Sequence, residues 1–313
     1  MKYAVCCQIK DEREYVKEFA EWHLNIGFDD VFFYEDYGSV SHKDIFEDNP
    51  HVHVKTIKET GVENYNGTRT QGALYNKLLA DFKRDGKYDW AAFIDVDEFI
   101  DFEEGYNLEK LCNEFKDTTG VWLAWKMYNA NGHIKHPTGS VIKNYPNPLD
   151  EKRYQEVDGG GMGMWNKKSI VNLHKANWWF TIHEIGDGCD TRRNGDARAK
   201  KIFDKAWIRH YFSKSWEDYC IRILNRGNMN NSIRSFDQFF KQNPDMAPQM
   251  RNLIEEQRYN HAKCTMYLSK KLGIISGGNV SEVKHLENET PSSTSTNEKI
   301  NDDIEILYVN WFE

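Results

Sequence analysis

Two aspartates near the end of an apolar run have the spacing of a divalent-cation site. Asp95 and Asp97 follow Trp90–Ile94, a run that is typical of a buried strand. Side chains two residues apart in an extended strand point to the same side, so both carboxylates would face one crevice. Carboxylate oxygens suit Mg²⁺ or Mn²⁺, which also bind the phosphates of a diphosphate. The spacing therefore predicts a metal and diphosphate site. The alternative is a strand that ends in two solvated acids.

Charged side chains also follow the two strands that are predicted nearer the start of the chain. Ligands of open α/β sheets bind at the carboxyl ends of the strands, so these groups are candidates to hold the base and ribose of a nucleotide. The candidates are Lys10, Glu12, Glu35 and Asp36. No G-x-G-x-x-G or G-x-x-x-x-G-K-[ST] sequence is present, which argues against a dinucleotide or P-loop site.

The elements around these residues predict an α/β fold with a mostly parallel sheet. Apolar and alternating runs predict strands at 3–9, 31–34, 51–57, 90–94 and 120–128. Apolar residues at steps of three and four predict helices at 12–26, 67–83, 250–271 and from 215 onward. Gly27 stands where a glycine would end the first of these helices.

Composition excludes several classes of protein. With 41 basic and 49 acidic residues the formal charge is −8, which argues against a general nucleic-acid binder. The longest apolar runs are far shorter than the roughly 20 residues that span a bilayer. No secretion signal is recognisable, so we expect a cytoplasmic protein whose six cysteines are free thiols.

Changes in composition along the sequence predict that the chain divides into four parts. Residues 1–230 would form the main domain and residues 231–275 a helical extension. Residues 276–302, rich in Ser, Thr, Asn and Glu, predict a disordered linker. Residues 303–313 would form an apolar terminal segment that docks as an edge strand, binds a partner or touches a membrane.

An ordered series of sequence blocks covers roughly residues 3–230. Its members are Cys7–Glu12, Glu21–Phe28, Gln71 with Tyr75 and Asn76, Asp89–Phe99, Trp125, Asn131–His133, Lys168–Val171, His183, and Ile208–Ser215 with Arg226. The order of the series is more specific than any single block. The series resembles glycosyltransferase family 92 and its family-2-like bacterial relatives.

The resemblance implies a GT-A fold, a nucleotide-sugar donor such as a UDP-sugar, and inversion at the anomeric carbon. It also implies Mn²⁺ or Mg²⁺ bound by Asp95 and Asp97, with His210 as a third ligand and a structural histidine as the alternative. Lys214 and Arg226 are candidates to pair with phosphate oxygens. Gln71 and Asn76, in the matching helix, are further donor-binding candidates.

Inversion needs a general base that takes the proton of the acceptor hydroxyl. Glu184, after the aromatic run Trp178–Phe180, is the preferred candidate, and His183, Asp158 and Asp187 are the alternatives. Trp125 and His133 are expected to shape a sugar pocket.

The resemblance therefore implies a hexosyltransferase that acts on a glycan or lipid-linked acceptor in surface polysaccharide synthesis. The basic stretch Arg192–Lys201 is compatible with peripheral contact at the inner face of the membrane, or with a mobile surface loop. A metal-dependent nucleotidyltransferase and a catalytically inactive glycan-binding module are the alternatives.

Overall fold

Eight strands pair edge to edge among the residues that the computed structural model describes, which are 1–64, 68–149, 167–176, 182–183, 204–226, 239–240 and 242–246. The strands are β1 (Tyr3–Ile9), β2 (Asp30–Glu35), β3 (Val52–Thr56), β4 (Trp90–Phe93), β5 (Glu98–Phe102), β6 (Gly120–Met127), β7 (Lys167–Asn172) and β8 (Ala206–His210). The helices are α1 (Val16–Asn25), α2 (Thr68–Asp85), α3 (Leu108–Glu114), α4 (Val141–Asn144) and α5 (Trp216–Arg226). Short 3₁₀ helices span Lys43–Phe46, Ile57–Thr60 and Pro244–Met246.

The first half of the sheet is parallel, as the sequence predicts. The strand order is β3-β2-β1-β4-β7-β6-β8-β5, and the pairs β2–β3, β1–β2 and β1–β4 are all parallel. β4 lies between β1 and β7, and all four of its residues are buried. The α/β fold class and the central position of β4 are therefore confirmed.

The second half of the sheet is mixed, which makes the whole less parallel than predicted. β7 is antiparallel to both β4 and β6, while β8 is parallel to β6 and antiparallel to β5. The sequence predicted no strand at β5, β7 or β8. Four residues, 94–97, join β4 to β5, and β5 pairs with β8 at the edge of the sheet rather than with β4.

Two helices cover the two faces of the parallel half. Alternate residues of a strand point to opposite faces. Accordingly Val5 of β1 packs in the apolar cluster that includes α1, whereas Cys6 packs in the cluster that includes α2. α1 is shorter than predicted, since residues 12–15 form a turn in which the Tyr15 amide donates to the Glu12 carbonyl at 2.9 Å. Gly27 follows α1 with φ of +112°, as expected.

The chain divides into one unit at Met1–Gln242 and another at Asn243–Glu313. The predicted helix 250–271, linker 276–302 and terminal segment 303–313 lie outside the described residues, so the predicted division stays a prediction. Within the described part of the chain, no helix is both long enough and apolar enough to cross a membrane.

Candidate active site

Asp95 and Asp97 lie in the turn that joins β4 to β5, at the carboxyl end of β4. The strand ends at Phe93, and the Glu98 amide donates to the Asp95 carbonyl at 3.0 Å. The predicted extended geometry through Asp97 is therefore wrong, because the chain turns back to form β5. The Asp97 side chain is 5 % exposed and that of Asp95 36 % exposed.

Both oxygens of Asp95 accept hydrogen bonds from buried side chains. Gln71 on α2 donates through Nε2 to Oδ1 at 2.8 Å, and Lys168 on β7 donates through Nζ to Oδ2 at 2.7 Å. Burial alone would raise the pKa of Asp95, but Lys168 outweighs burial and holds the pKa below its usual value, against the opposing charge of Asp97. Asp95 is therefore an ionised carboxylate in a defined orientation.

Glu98 and Lys168 lie beside Asp95 and are fully buried. Together with Asp95 and Asp97 they form the acidic cluster. Glu98 Oε2 accepts from the Asp95 amide at 2.9 Å and lies 3.8 Å from Lys168 Nζ. Burial raises the pKa of Glu98 well above its usual value. Burial alone would lower the pKa of Lys168, but the Asp95 and Glu98 carboxylates raise it.

Asp97 faces His210 across the sheet. His210 Nε2 lies 3.8 Å from Asp97 Oδ2, and β5 and β8 place His210 beside Glu98. A separation of 3.8 Å is longer than a hydrogen bond and leaves space for both atoms to contact one cation at about 2.0–2.2 Å. Among the described residues, no group of three His, Cys, Asp or Glu side chains is arranged to hold a metal by itself.

Trp125 on β6 packs between two predicted site histidines. Its ring centroid is 4.1 Å from that of His210 and 5.5 Å from that of His183. His183 Nδ1 lies 3.2 Å from the Lys167 carbonyl, which can only accept, so Nδ1 carries the proton and Nε2 has the lone pair. Burial, with the nearby Lys168 charge, lowers the pKa of His183 to about 4. The imidazole is therefore neutral near pH 7.

The acids at the ends of β1 and β2 are joined by a histidine that the sequence did not single out. Glu35 Oε1 accepts from the His42 amide at 2.5 Å and lies 3.2 Å from His42 Nδ1. The Glu12 amide donates to His42 Nε2 at 3.2 Å. The buried Glu35 carboxylate therefore holds His42 and, through it, the turn after β1. Asp36 is half-buried and accepts from the Tyr37 amide at 2.8 Å, and Lys10 is half-buried at the end of β1.

A cavity of about 350 Å³ opens between the turn after β1 and the segment that joins β8 to α5. Its lining includes Glu12 and Lys214, two of the predicted donor-binding residues. Asp11 and Lys214, which both line it, have φ values of +55° and +50°, a conformation that costs on the order of 1 kcal/mol for residues with a Cβ. The buried Ser213 hydroxyl, also in the lining, has no hydrogen-bond partner among the described residues.

Asp218, which also lines this cavity, contacts side chains from three segments. Tyr15 donates to its Oδ1 at 2.8 Å and Ser215 to its Oδ2 at 2.7 Å, and His136 Nδ1 lies 2.9 Å from Oδ1. The Lys214 ammonium lies 3.4 Å from the centre of the Tyr15 ring. These contacts hold the turn after β1 against the start of α5.

Two predicted site residues have other partners. His133 Nε2 lies 3.1 Å from the Asn144 carbonyl and its ring packs edge-on against Tyr145, so its contacts hold a loop rather than the acidic cluster. Asn76 is exposed on α2 and donates to the Gly72 carbonyl at 2.8 Å. The candidates Glu184, Asp158 and Asp187 lie outside the described residues, as does the Arg226 side chain.

Comparison with known proteins decides what the cluster belongs to. The model of glycosyltransferase family 92 matches residues 69–261, more than half of the chain. The chain belongs to glycosyltransferase family 92. It is therefore a glycosyltransferase, and the predicted resemblance and enzyme class are confirmed. The strand order and the family together give the GT-A type of α/β fold that the resemblance implied.

The glycosyltransferase has weak similarity to solved structures, and no curated protein matches it. TarS of S. aureus in complex with UDP is 16 % identical with a TM-score of 0.32, over 55 % of this chain and 47 % of that chain. Glucosyl-3-phosphoglycerate synthase of Mycobacterium tuberculosis in complex with Mn²⁺, UDP and phosphoglyceric acid is 13 % identical with a TM-score of 0.30, over 55 % and 56 %. 4-Diphosphocytidyl-2C-methyl-D-erythritol synthase is 14 % identical in sequence with a TM-score of 0.37, over 71 % of this chain and 97 % of that chain.

The glycosyltransferase thus spans about half the length of the first two of these proteins.

Sequence reasoning missed two of the buried residues that contact Asp95 in this glycosyltransferase, Lys168 and Glu98. Lys168 stood in a recognised block but had no role assigned, and Glu98 was treated as part of the motif. The available signal was a lysine two residues before the apolar pair Ile170 and Val171, in a segment where a buried charge needs a partner.

Proposed function

We propose that this family 92 glycosyltransferase is metal-dependent and inverting, and that its donor is a nucleoside-diphosphate sugar, with a UDP-sugar as the first choice. The observation that carries the proposal is the acidic cluster after β4, where Asp97 and His210 face each other beside the fixed Asp95 carboxylate. The transfer of a sugar is the activity of the family. The metal, the inversion and the donor are the proposal.

The donor set supports a divalent cation at Asp97 and His210. Mg²⁺ and Mn²⁺ are commonly held by one or two protein ligands together with substrate phosphates and water, so two facing side chains suffice. When bound, the ion would stabilise the negative charge that develops on the departing diphosphate. The Trp125 ring packs against His210 with centroids 4.1 Å apart and an interplanar angle of 49°, and would hold that imidazole toward Asp97.

The cavity beside Glu12 and Lys214 supports a place for part of the donor. It lies at the carboxyl end of β1, where ligands of such sheets bind. Its lining offers an ammonium that can pair with a phosphate oxygen and the Ser213 hydroxyl, which has no partner in the described part of the chain. The Glu35–His42 pair holds the turn on one side of this cavity.

For the general base we propose Glu184, with His183 as the alternative. His183 Nε2 bears a lone pair on a neutral ring, so it is able to accept the proton of a hydroxyl group. Glu184 follows it directly in the sequence. The proposed acceptor is a glycan or a lipid-linked glycan, at the cytoplasmic face of a membrane.

A screen of nucleotide sugars with and without Mn²⁺ tests the proposal. Ligands that bind the native state raise its melting temperature, so the donor should stabilise the protein and Mn²⁺ should increase the effect. Equal affinity for UDP in Mn²⁺ and in EDTA would contradict the metal proposal. NMR of the product gives the anomeric configuration, and retention would contradict inversion.

The released product separates the alternatives. Free nucleoside diphosphate supports sugar transfer, pyrophosphate would support a nucleotidyltransferase, and glycan binding without turnover would support an inactive module. Asp97→Asn should reduce kcat at least about 100-fold if the carboxylate holds the metal. Asp30→Asn is the matched control, since Asp30 is a buried acid at the opposite end of β2.

A further inference from the structure

Lys168 is a fully buried lysine in the middle of the sheet. Its side chain is 0 % exposed and lies on β7 next to β4 and β6. Burial of an ammonium costs free energy that one ion pair often fails to recover, and an apolar residue of similar size would avoid that cost. Stability alone therefore does not explain a lysine here.

We propose that Lys168 is a positioning residue for the transfer reaction, which acts through Asp95 by fixing its orientation and balancing its negative charge before the donor diphosphate binds. The proposal rests on the proposed function, since it takes a nucleoside diphosphate as the ligand. Lys168 itself is enclosed and does not touch the ligand.

The geometry shows how the orientation is set. Asp95 is held from three elements: Gln71 on α2 binds Oδ1, Lys168 on β7 binds Oδ2, and Glu98 at the start of β5 binds the Asp95 amide. A carboxylate fixed by neighbours whose own positions are packed is preorganised for a ligand. The Asp95 side chain remains 36 % exposed, so part of the carboxylate stays open to solvent.

The charges show what Lys168 balances. Asp95 and Lys168 form a neutral pair at 2.7 Å, and this leaves Asp97 as the neighbouring carboxylate that faces an incoming metal and diphosphate. Without the ammonium, two adjacent carboxylates would face the negatively charged diphosphate in a cleft of reduced dielectric, where like charges repel strongly.

A double-mutant cycle tests the proposal, with UDP affinity in Mn²⁺ measured by calorimetry. Lys168→Met should weaken UDP binding at least about tenfold in the wild-type background, because the unbalanced Asp95 charge repels the diphosphate. In the Asp95→Asn background the same substitution should change UDP affinity by less than about threefold, since Lys168 acts through Asp95. In steady state, the donor KM of Lys168→Met should rise more than kcat falls.

Two further variants separate positioning from folding. Lys87→Met removes another lysine–aspartate pair, Lys87 with Asp30 at 2.9 Å, and should leave UDP affinity unchanged. If Lys168→Met fails to fold, Lys168→Gln replaces it in the cycle, because the amide keeps a donor for Asp95 without the charge.

The outcomes are distinguishable. Equal losses of UDP affinity in both backgrounds, or an unchanged affinity with only a lower melting temperature, would overturn the role of Lys168 and leave the proposed function in place. A wild-type protein that binds no UDP in Mn²⁺ would refute the proposed UDP donor and, with it, this inference.

Discussion

His23 makes the stability of the site-bearing sheet depend on pH. It is buried on α1, where Nδ1 donates to the Phe19 carbonyl at 2.8 Å and Nε2 accepts from the Ile100 amide of β5 at 3.3 Å. The Ile100 contact requires the neutral ring, because protonation at Nε2 would remove the acceptor for the Ile100 amide, whereas Nδ1 can donate to Phe19 in either state. Burial lowers the pKa of His23 from 6.5 to about 3, against the Phe19 carbonyl, which raises it.

The sign and size of the effect follow from this pKa. A folded pKa below the unfolded value gives stability that is present above pH 6.5 and is lost as the pH falls toward 3. Each pH unit in that window lowers the free energy of unfolding by about 1.4 kcal/mol, so the protein loses about 2 kcal/mol of stability between pH 6.5 and pH 5. The Ile100 contact anchors β5, and β5 follows Asp97 directly, so the same protonation loosens the turn that carries the acidic cluster.

Urea unfolding of wild type and His23→Gln at pH 7 and pH 5 measures this effect. The variant is less stable at pH 7, and the difference from wild type should shrink by about 2 kcal/mol at pH 5, since only wild type loses the neutral histidine. Phe19→Leu is the control, because it alters the same packing, with ring centroids 4.2 Å apart, and adds no titrating group. A difference that is the same at both pH values, within about 0.5 kcal/mol, would refute the assignment of a buried neutral His23.

Three further predictions concern other parts of the molecule. Tyr15→Phe removes the hydroxyl that donates to Asp218. It should lower the free energy of urea unfolding by about 1.5–3 kcal/mol, the range for a hydrogen bond to a charged group. An unchanged free energy of unfolding would show that Asp218 does not depend on this bond. Trp125→Leu removes the ring that packs against His210. Calorimetry should show UDP affinity about tenfold weaker in Mn²⁺ and unchanged in EDTA. An equal loss of affinity in EDTA would contradict a role of Trp125 in orienting the histidine. Deletion of residues 276–313 should leave donor hydrolysis within about twofold of wild type if they form only a linker and a docking segment, and a larger loss would give the tail a role in catalysis.

The sequence by itself determined the local elements of the parallel half. The apolar runs of β1, β2 and β4 and the spacing within α1 and α2 record which residues face a core, and that pattern depends on near neighbours in the chain. The blocks around Asp95, Asp97 and His210 also placed the acidic motif and the family. The periodicity predicted no strand at β5, β7 or β8, and β5 is a five-residue strand that opens with an acidic residue.

The tertiary structure alone decided which side chains meet. Lys168 and Asp95 are 73 residues apart, and the antiparallel insertion of β7 beside β4 brings them to 2.7 Å. Glu35, expected to hold a nucleotide, instead binds His42. Such partners are chosen by strand order and by the burial of polar groups that must find a partner, and neither leaves a periodic trace in the sequence. The strands of the parallel half were therefore predictable, whereas the mixed half of the sheet and the charge balance of the site were not.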